Sequence, residues 1–131
     1  NLLERNDYES DMAPALKELG LSGIPFFALA RGFLSGKYRT EADFSKSPRG
    51  ARGAGKYLDA KGLKVLAALD AVADRYRTTP AQVAIAWFKG RAGLAAPIAS
   101  ATTFEQLAEL AQAAGLVLEA DAIALLDAAS V

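Results

Sequence analysis

The sequence predicts an α/β fold, a parallel sheet covered by helices, and two observations carry that expectation. Two short apolar runs, 24–29 and 94–98, lack the polar alternation of a half-exposed strand, as expected of strands buried on both faces. Each run is followed by a loop of chemical character and then by a helical pattern, so the unit of strand, loop and helix occurs twice. In parallel α/β folds ligands bind at the carboxyl ends of strands, where the loops 30–40 and 99–103 both fall.

The elements follow in order. Asn1-Leu2-Leu3-Glu4-Arg5 reads as the end of a strand already under way, and the chain is expected to be truncated on that side. A polar turn leads into a helix with Met12, Leu16 and Leu19 on one stripe, stopped by Gly20. The first apolar run then opens into Ala30-Arg31-Gly32-Phe33-Leu34-Ser35-Gly36-Lys37-Tyr38. Residues 39–58 are polar and glycine-rich, a loop long enough to be functional or disordered. From about Asp59 a helix is expected with Leu63, Leu66, Leu69, Val72, Ala73 and Tyr76 on its apolar face. Thr79-Pro80-Ala81-Gln82 opens another, with a capping threonine, a first-turn proline and a box-closing glutamine. Trp87 and Phe88 belong to its packing face. Thr103-Phe104-Glu105-Gln106 is a second capping box, and a last helix carries Ile123, Leu125 and Leu126.

Composition excludes several function classes. Fifteen basic and fifteen acidic residues cancel, so no global field favours nucleic acid or an anionic membrane. There is no cysteine and no histidine, which removes thiolate chemistry and the commonest general base and metal ligand; no metal site is expected. With 52% hydrophobic residues the chain can build a core. No signal-peptide pattern and no long apolar run is present, so a cytoplasmic location is expected.

Three stretches have candidate chemistry. Loop 31–38 resembles a phosphate-binding P-loop only superficially, because three residues separate Gly32 from Gly36 and Tyr38 stands where Ser or Thr would hold magnesium. Its glycines and Lys37 suit a phosphate cradle of another type, and they equally suit an ordinary turn after a strand. The segment 98–106 sets a helix N-terminus at a strand end, which suits an anion or simply a capped helix. Arg49 and Arg52 could clamp a phosphate or merely be solvated. None of the four tyrosines has a base or lysine partner by spacing.

These residues carry a family resemblance. Leu29-Ala30-Arg31-Gly32-Phe33-Leu34-Ser35-Gly36-Lys37-Tyr38 resembles the loop after the seventh strand of aldo-keto reductases, in the branch of bacterial oxidoreductases and potassium-channel β-subunits. Pro97-Ile98-Ala99-Ser100-Ala101-Thr102-Thr103-Phe104-Glu105-Gln106-Leu107-Ala108-Glu109 resembles the segment after the eighth, and Asn1-Leu2-Leu3-Glu4-Arg5 the end of the sixth. The resemblance implies the C-terminal part, about strands 6–8 with their helices, of a (β/α)8 TIM barrel, residues 1–131 forming one partial domain. It implies NADPH as cofactor. Leu29, Ala30, Ser35 and Lys37 would line the pyrophosphate, Ser100, Thr102, Gln106 and Glu109 would hold the adenosine end, and Arg49 would face the 2′-phosphate. Departures stand at Phe27, Ala28 and Leu110, where relatives carry serine, proline and asparagine.

The implied activity is reduction of aldehydes or ketones to alcohols. The family's catalytic aspartate, tyrosine, lysine and histidine come from the first four strands and have no counterpart here. The chain is therefore expected to carry the cofactor clamp without the catalytic set, and to be inactive alone. The alternative is a non-catalytic dinucleotide-binding or assembly module built from a half-barrel. Expected partners are a small carbonyl substrate in the intact parent, neither nucleic acid nor membrane, and a second copy or the missing N-terminal half, since two strands and a stub leave open edges.

Overall fold

In the computed structural model, which describes residues 1–47, 50 and 53–131, helices dominate. Five α-helices lie wholly among the described residues: α1 (Ala13–Glu18), α2 (Ala60–Tyr76), α3 (Pro80–Ala86), α4 (Phe104–Gly115) and α5 (Ala120–Ala129). Helix α3 is central, packed between α2 and α4 and over the tight turns of Ala30–Ser35. Its length from Ala81 to Ala86, with Trp87 and Phe88 beyond, is buried, and its sequence is accordingly apolar on every side but for Gln82. Phe33, Leu34, Tyr38, Leu66, Leu69, Val83 and Leu126 complete the core.

The expected strands are corrected. Among the described residues none lies in a regular strand, and the runs 24–29 and 94–98 meet in a single parallel bridge between Gly23 and Leu94. Gly23 N–H donates to Gly93 O (2.7 Å) and Ala95 N–H donates to Gly23 O (2.9 Å), the two bonds of a parallel register. The next two rungs would need N–H groups at positions 25 and 97, and both are proline. Pro25 O instead accepts from Ile98 N–H at 2.7 Å, one residue out of step. The residues that made these runs apolar also stop them from laddering.

The opening segment is likewise a turn, not a strand end: Leu3 N–H donates to Asn1 Oδ1 (2.9 Å) and Glu4 N–H to Asn1 O (3.2 Å). Helix α1 continues a wider turn over Tyr8–Met12 and ends where Gly20 takes φ +65°. Its closing bonds, Gly20 N–H to Lys17 O and Leu21 N–H to Leu16 O, form a Schellman motif. Its expected stripe does not bury, since Met12 and Leu19 are exposed.

Within 39–58, expected to be a long polar loop, the described residues include two short 3-10 turns, Glu41–Lys46 and Ala54–Tyr57. Aromatic contacts hold them down: Phe44 packs on Tyr38 (centroids 5.9 Å apart) and Tyr57 on Phe33 (5.7 Å). Tyr38, fully buried, shares a hydrogen bond with Ser47 Oγ at 2.5 Å. Tyr57, to which spacing assigned no partner, donates to Glu4 Oε2 (2.9 Å), and Lys56 Nζ pairs with Glu4 Oε1 (2.5 Å). This arrangement keeps the Tyr57 hydroxyl protonated, because burial and the Glu4 carboxylate both push its pKa upward.

The helix caps agree with the sequence in most details. Asp59 Oδ1 accepts from Gly62 N–H at 2.7 Å. At Thr79 the box closes in both directions: Gln82 N–H donates to Thr79 Oγ1 (3.3 Å) and Thr79 N–H to Gln82 Oε1 (3.2 Å). At Thr103 only one half forms, Gln106 N–H donating to Thr103 Oγ1 (3.3 Å). Within the expected stripes Leu63 and Leu125 face outward, whereas Val65 and Ala68 are buried. No helix among the described residues is long and apolar enough to cross a membrane.

Candidate functional site

A cleft of about 310 Å³ opens between the segment 26–37 and the segment 98–110, with Ala81 of α3 between them. That volume lies at the lower end of small-molecule sites, roughly 300–1,000 Å³, and suits part of an extended ligand. Six of the nine residues nominated from the sequence line it: Leu29, Ser35, Lys37, Ser100, Gln106 and Glu109.

The first wall comes from the turns of Ala30–Ser35. Three successive residues there take left-handed backbone, Ala30 at φ 47°, Arg31 at 59° and Gly32 at 90°. For Ala30 and Arg31 this costs on the order of 1 kcal/mol each, and such strain collects at binding sites. Gly32 has a second role. A Cβ there would come 3.1 Å from Lys37 Cε and 3.3 Å from Nζ, so the glycine leaves room for the lysine beside the turn. Ser35 Oγ donates to Gly32 O at 2.7 Å, closing the same turn.

The second wall comes from the start of α4. Thr102 N–H and Oγ1 both donate to Gln106 Oε1 (2.9 and 3.1 Å), so the glutamine oxygen is spent on the preceding loop and its amide nitrogen is the end left for the cleft. Glu109 is held from below by the Thr79 hydroxyl, which donates to its Oε1. The α4 N-terminus itself is occupied. Thr103 caps it, and the Glu105 carboxyl is held below its ordinary pKa by its own backbone N–H and the Thr103 hydroxyl. The capping alternative is thus the one realised at that helix end.

The remaining nominated residues fall elsewhere. Ala30 is wholly buried and serves the turn rather than the cleft. Thr102 orients Gln106 and does not line the cleft. Arg49, with Arg52, lies outside the described residues. Arg31 lines the cleft although the motif gave it no role, and so do the rings of Phe26 and Phe27, 4.3 Å apart. The one signal available for Arg31 was its place between the two small residues of the loop. Among the described residues no cluster of three or more acidic side chains is placed to hold a metal ion.

The cleft is walled by a glycine turn with two cations on one side and by amide and carboxylate groups on the other, groups whose chemistry can meet a polar, anion-bearing molecule. Comparison with known proteins agrees with the motifs that form it. The family model "Aldo/keto reductase family" matches residues 1–131, and the chain belongs to that family. It is similar to a probable aldo-keto reductase 1 from Glycine max, 31% identical over 103 residues, which is 77% of this chain and 30% of that protein. The matched stretch thus spans less than a third of that relative's length. Membership implies the (β/α)8 barrel as the family's fold; the described residues themselves show helices and one parallel bridge.

Proposed function

We propose that this chain forms the cofactor-holding part of an NADPH-dependent oxidoreductase that reduces aldehydes and ketones to alcohols. The observation that carries the reading is the cleft, which gathers Leu29, Ser35, Lys37, Ser100, Gln106 and Glu109 from two segments some 70 positions apart in the sequence. Family membership supports the oxidoreductase class.

The residues present fit the cofactor. The Gly32 cradle, which a Cβ would fill, leaves Lys37 beside the turn for the pyrophosphate, and Gln106 with Glu109 offers a donor and an acceptor to the adenosine end. When bound, NADPH supplies a hydride to the carbonyl carbon, and the carbonyl oxygen takes a proton from an acid. This chain's residues bind and orient. Lys37 neutralises phosphate charge, Ser35 and Gly32 keep the turn open, and Glu109, fixed by Thr79, sets the ligand's position along the cleft. Among the described residues the Tyr57 hydroxyl, which has a lysine beside it, is tied to Glu4 rather than offered to the cleft.

The test is calorimetric titration of the chain with NADPH, together with an assay of aldehyde reduction. Binding without turnover is the expected result. No heat at millimolar NADPH would overturn the binding role, and turnover by the chain alone would overturn its division of labour.

A second reading concerns assembly. Ile24, Phe26 and Ile98 on the paired segments are exposed, Phe26 at 68%. Such apolar surface around a parallel bridge favours association with further strands, from a second copy or from an N-terminal half. Sedimentation of the chain over a concentration series tests this, and a monomer at all concentrations would count against it.

A further inference from the structure

Helix α1 and the turn Tyr8–Met12 before it form one continuous helix, none of whose residues is buried. Among the described residues α1 packs closely on no other helix. Its apolar side chains are nevertheless in register. Tyr8, Met12, Leu16 and Leu19 recur at spacings of four, four and three and so share one face. Tyr8 and Leu16 reach the parallel bridge, where a Cβ on Gly23 would come 2.8 Å from Tyr8 Oη and 3.2 Å from both Leu16 Cδ1 and Leu94 Cδ2. Met12 and Leu19 on the same face, with Leu21 just beyond, are more than half exposed. The stripe therefore touches the body at two points and stands open at the others.

A second cavity, of about 190 Å³, adjoins this face and is lined by Tyr8, Trp87, Phe88 and Leu94 among others. An apolar cavity of about 150 Å³ takes benzene, so this one has room for a single large apolar side chain. The charge beside the stripe is of one sign. Asp7, Asp11 and Glu18 follow one another at helical spacing along its edge, and none has an ion-pair partner among the described residues. Lys17, the one lysine of this helix, falls on the opposite side.

We propose that the Tyr8–Leu19 face docks an amphipathic helix of another protein, one with a basic edge and a large apolar side chain that enters the Trp87–Phe88 cavity. Charge selects this occupant over two others. An anionic lipid surface attracts helices with lysine and arginine beside the apolar stripe, and here the flank is acidic. Pairing with the same helix of a second copy would set carboxylates against carboxylates. A helical partner also matches the period, since Asp7 and Glu18 lie roughly 16 Å apart along the axis at 1.5 Å per residue, a rise that cations on a second helix share.

The test titrates the chain into two fluorescein-labelled peptides of about 14 residues, long enough to form a helix, and reads anisotropy. One carries leucine on one face and lysine on the other; the second has glutamate in place of lysine. The lysine peptide should bind at least about tenfold more tightly, and its affinity should fall between about 50 mM and 500 mM salt. Met12→Ser combined with Leu19→Ser should weaken it about tenfold, with the melting temperature nearly unchanged because both side chains are exposed. Asp11→Asn combined with Glu18→Gln should remove most of the salt dependence, and tests the surface even if the first pair of changes disturbs folding. Val117→Ser, at another exposed apolar position, should bind as wild type does. Equal affinity for the two peptides, or an equal loss in Val117→Ser, would overturn the proposal. So would self-association that the Met12 and Leu19 changes abolish while the lysine peptide fails to bind, which would assign the face to a second copy.

Discussion

The Thr79 hydroxyl donates a hydrogen bond to the Glu109 carboxylate, so the N-cap of α3 also holds a side chain that lines the cleft on α4. The same contact region is tied by Gln82, buried at 6% exposure, whose Nε2 donates to Glu109 O (3.1 Å) and Gln112 Oε1 (2.8 Å). A buried amide in this position is tolerated because every polar end finds a partner.

Thr79→Val should therefore destabilise the chain by about 1–2 kcal/mol, through the lost cap and the carboxylate left without its donor. Thr79→Ser keeps the hydroxyl and should recover most of that loss. Urea unfolding midpoints for the three proteins check this, and a valine variant as stable as wild type would refute it.

Gly62 sits in the first turn of α2, where alanine ordinarily adds up to about 1 kcal/mol of helix stability. Here the sign reverses. A Cβ at Gly62 would lie 1.7 Å from Tyr57 O and 3.1 Å from Phe33 Cζ, so backbone must move. Gly62→Ala should lose roughly 2–3 kcal/mol, read as a lowered unfolding midpoint.

Asp127 joins three elements. Its carboxylate accepts from Trp87 Nε1 (2.9 Å) and Arg5 Nη1 (2.9 Å) and from Arg91. Burial pushes its pKa up, but the hydrogen bonds from Trp87 and Arg91 and the two guanidinium charges outweigh this and hold it below the ordinary value. A group depressed in the folded state stabilises above its unfolded pKa of about 3.9, and that stability is lost as the pH falls through the folded value. Asp127→Asn should thus flatten the acid limb of stability below about pH 4 and lower stability near neutrality by roughly 2 kcal/mol. Trp87, the single tryptophan, reports the transition by fluorescence.

Lys37 is the cation that both the loop chemistry and the cleft geometry single out. Lys37→Met should weaken NADPH binding about tenfold or more and reduce its dependence on salt, while leaving the melting temperature nearly unchanged because the side chain is exposed. Calorimetry at two ionic strengths measures both. Unchanged affinity would remove Lys37 from the site.

Helix positions and their caps were legible locally. Thr79-Pro80-Ala81-Gln82 needs only its own four residues to declare a helix start, and Gly20 only its own backbone freedom to declare an end. The two 3-10 turns among the described residues of 39–58 are not legible locally, because they are held by Tyr38, Phe44, Phe33 and Tyr57 meeting across the chain, which no local pattern encodes. Helix α2 ends at Arg77 with φ 52°, a left-handed stop without the glycine that would have announced it.

The sequence by itself determined the helices, the turn glycines and the two motifs that place the chain in its family, because propensity, capping and loop chemistry act over a few neighbouring residues. Only the tertiary structure decided the rest. Pro25 and Pro97 matter to the parallel pairing only once Gly23 and Leu94 are set side by side, for a missing N–H has no effect until a partner carbonyl faces it. Likewise the link from Thr79 to Glu109 and the stacking of Arg31 on Phe27 arise from packing of α3, α4 and the Ala30–Ser35 turns. Binding groups act through their positions relative to one another, and those positions are properties of the packed core rather than of any stretch of chain.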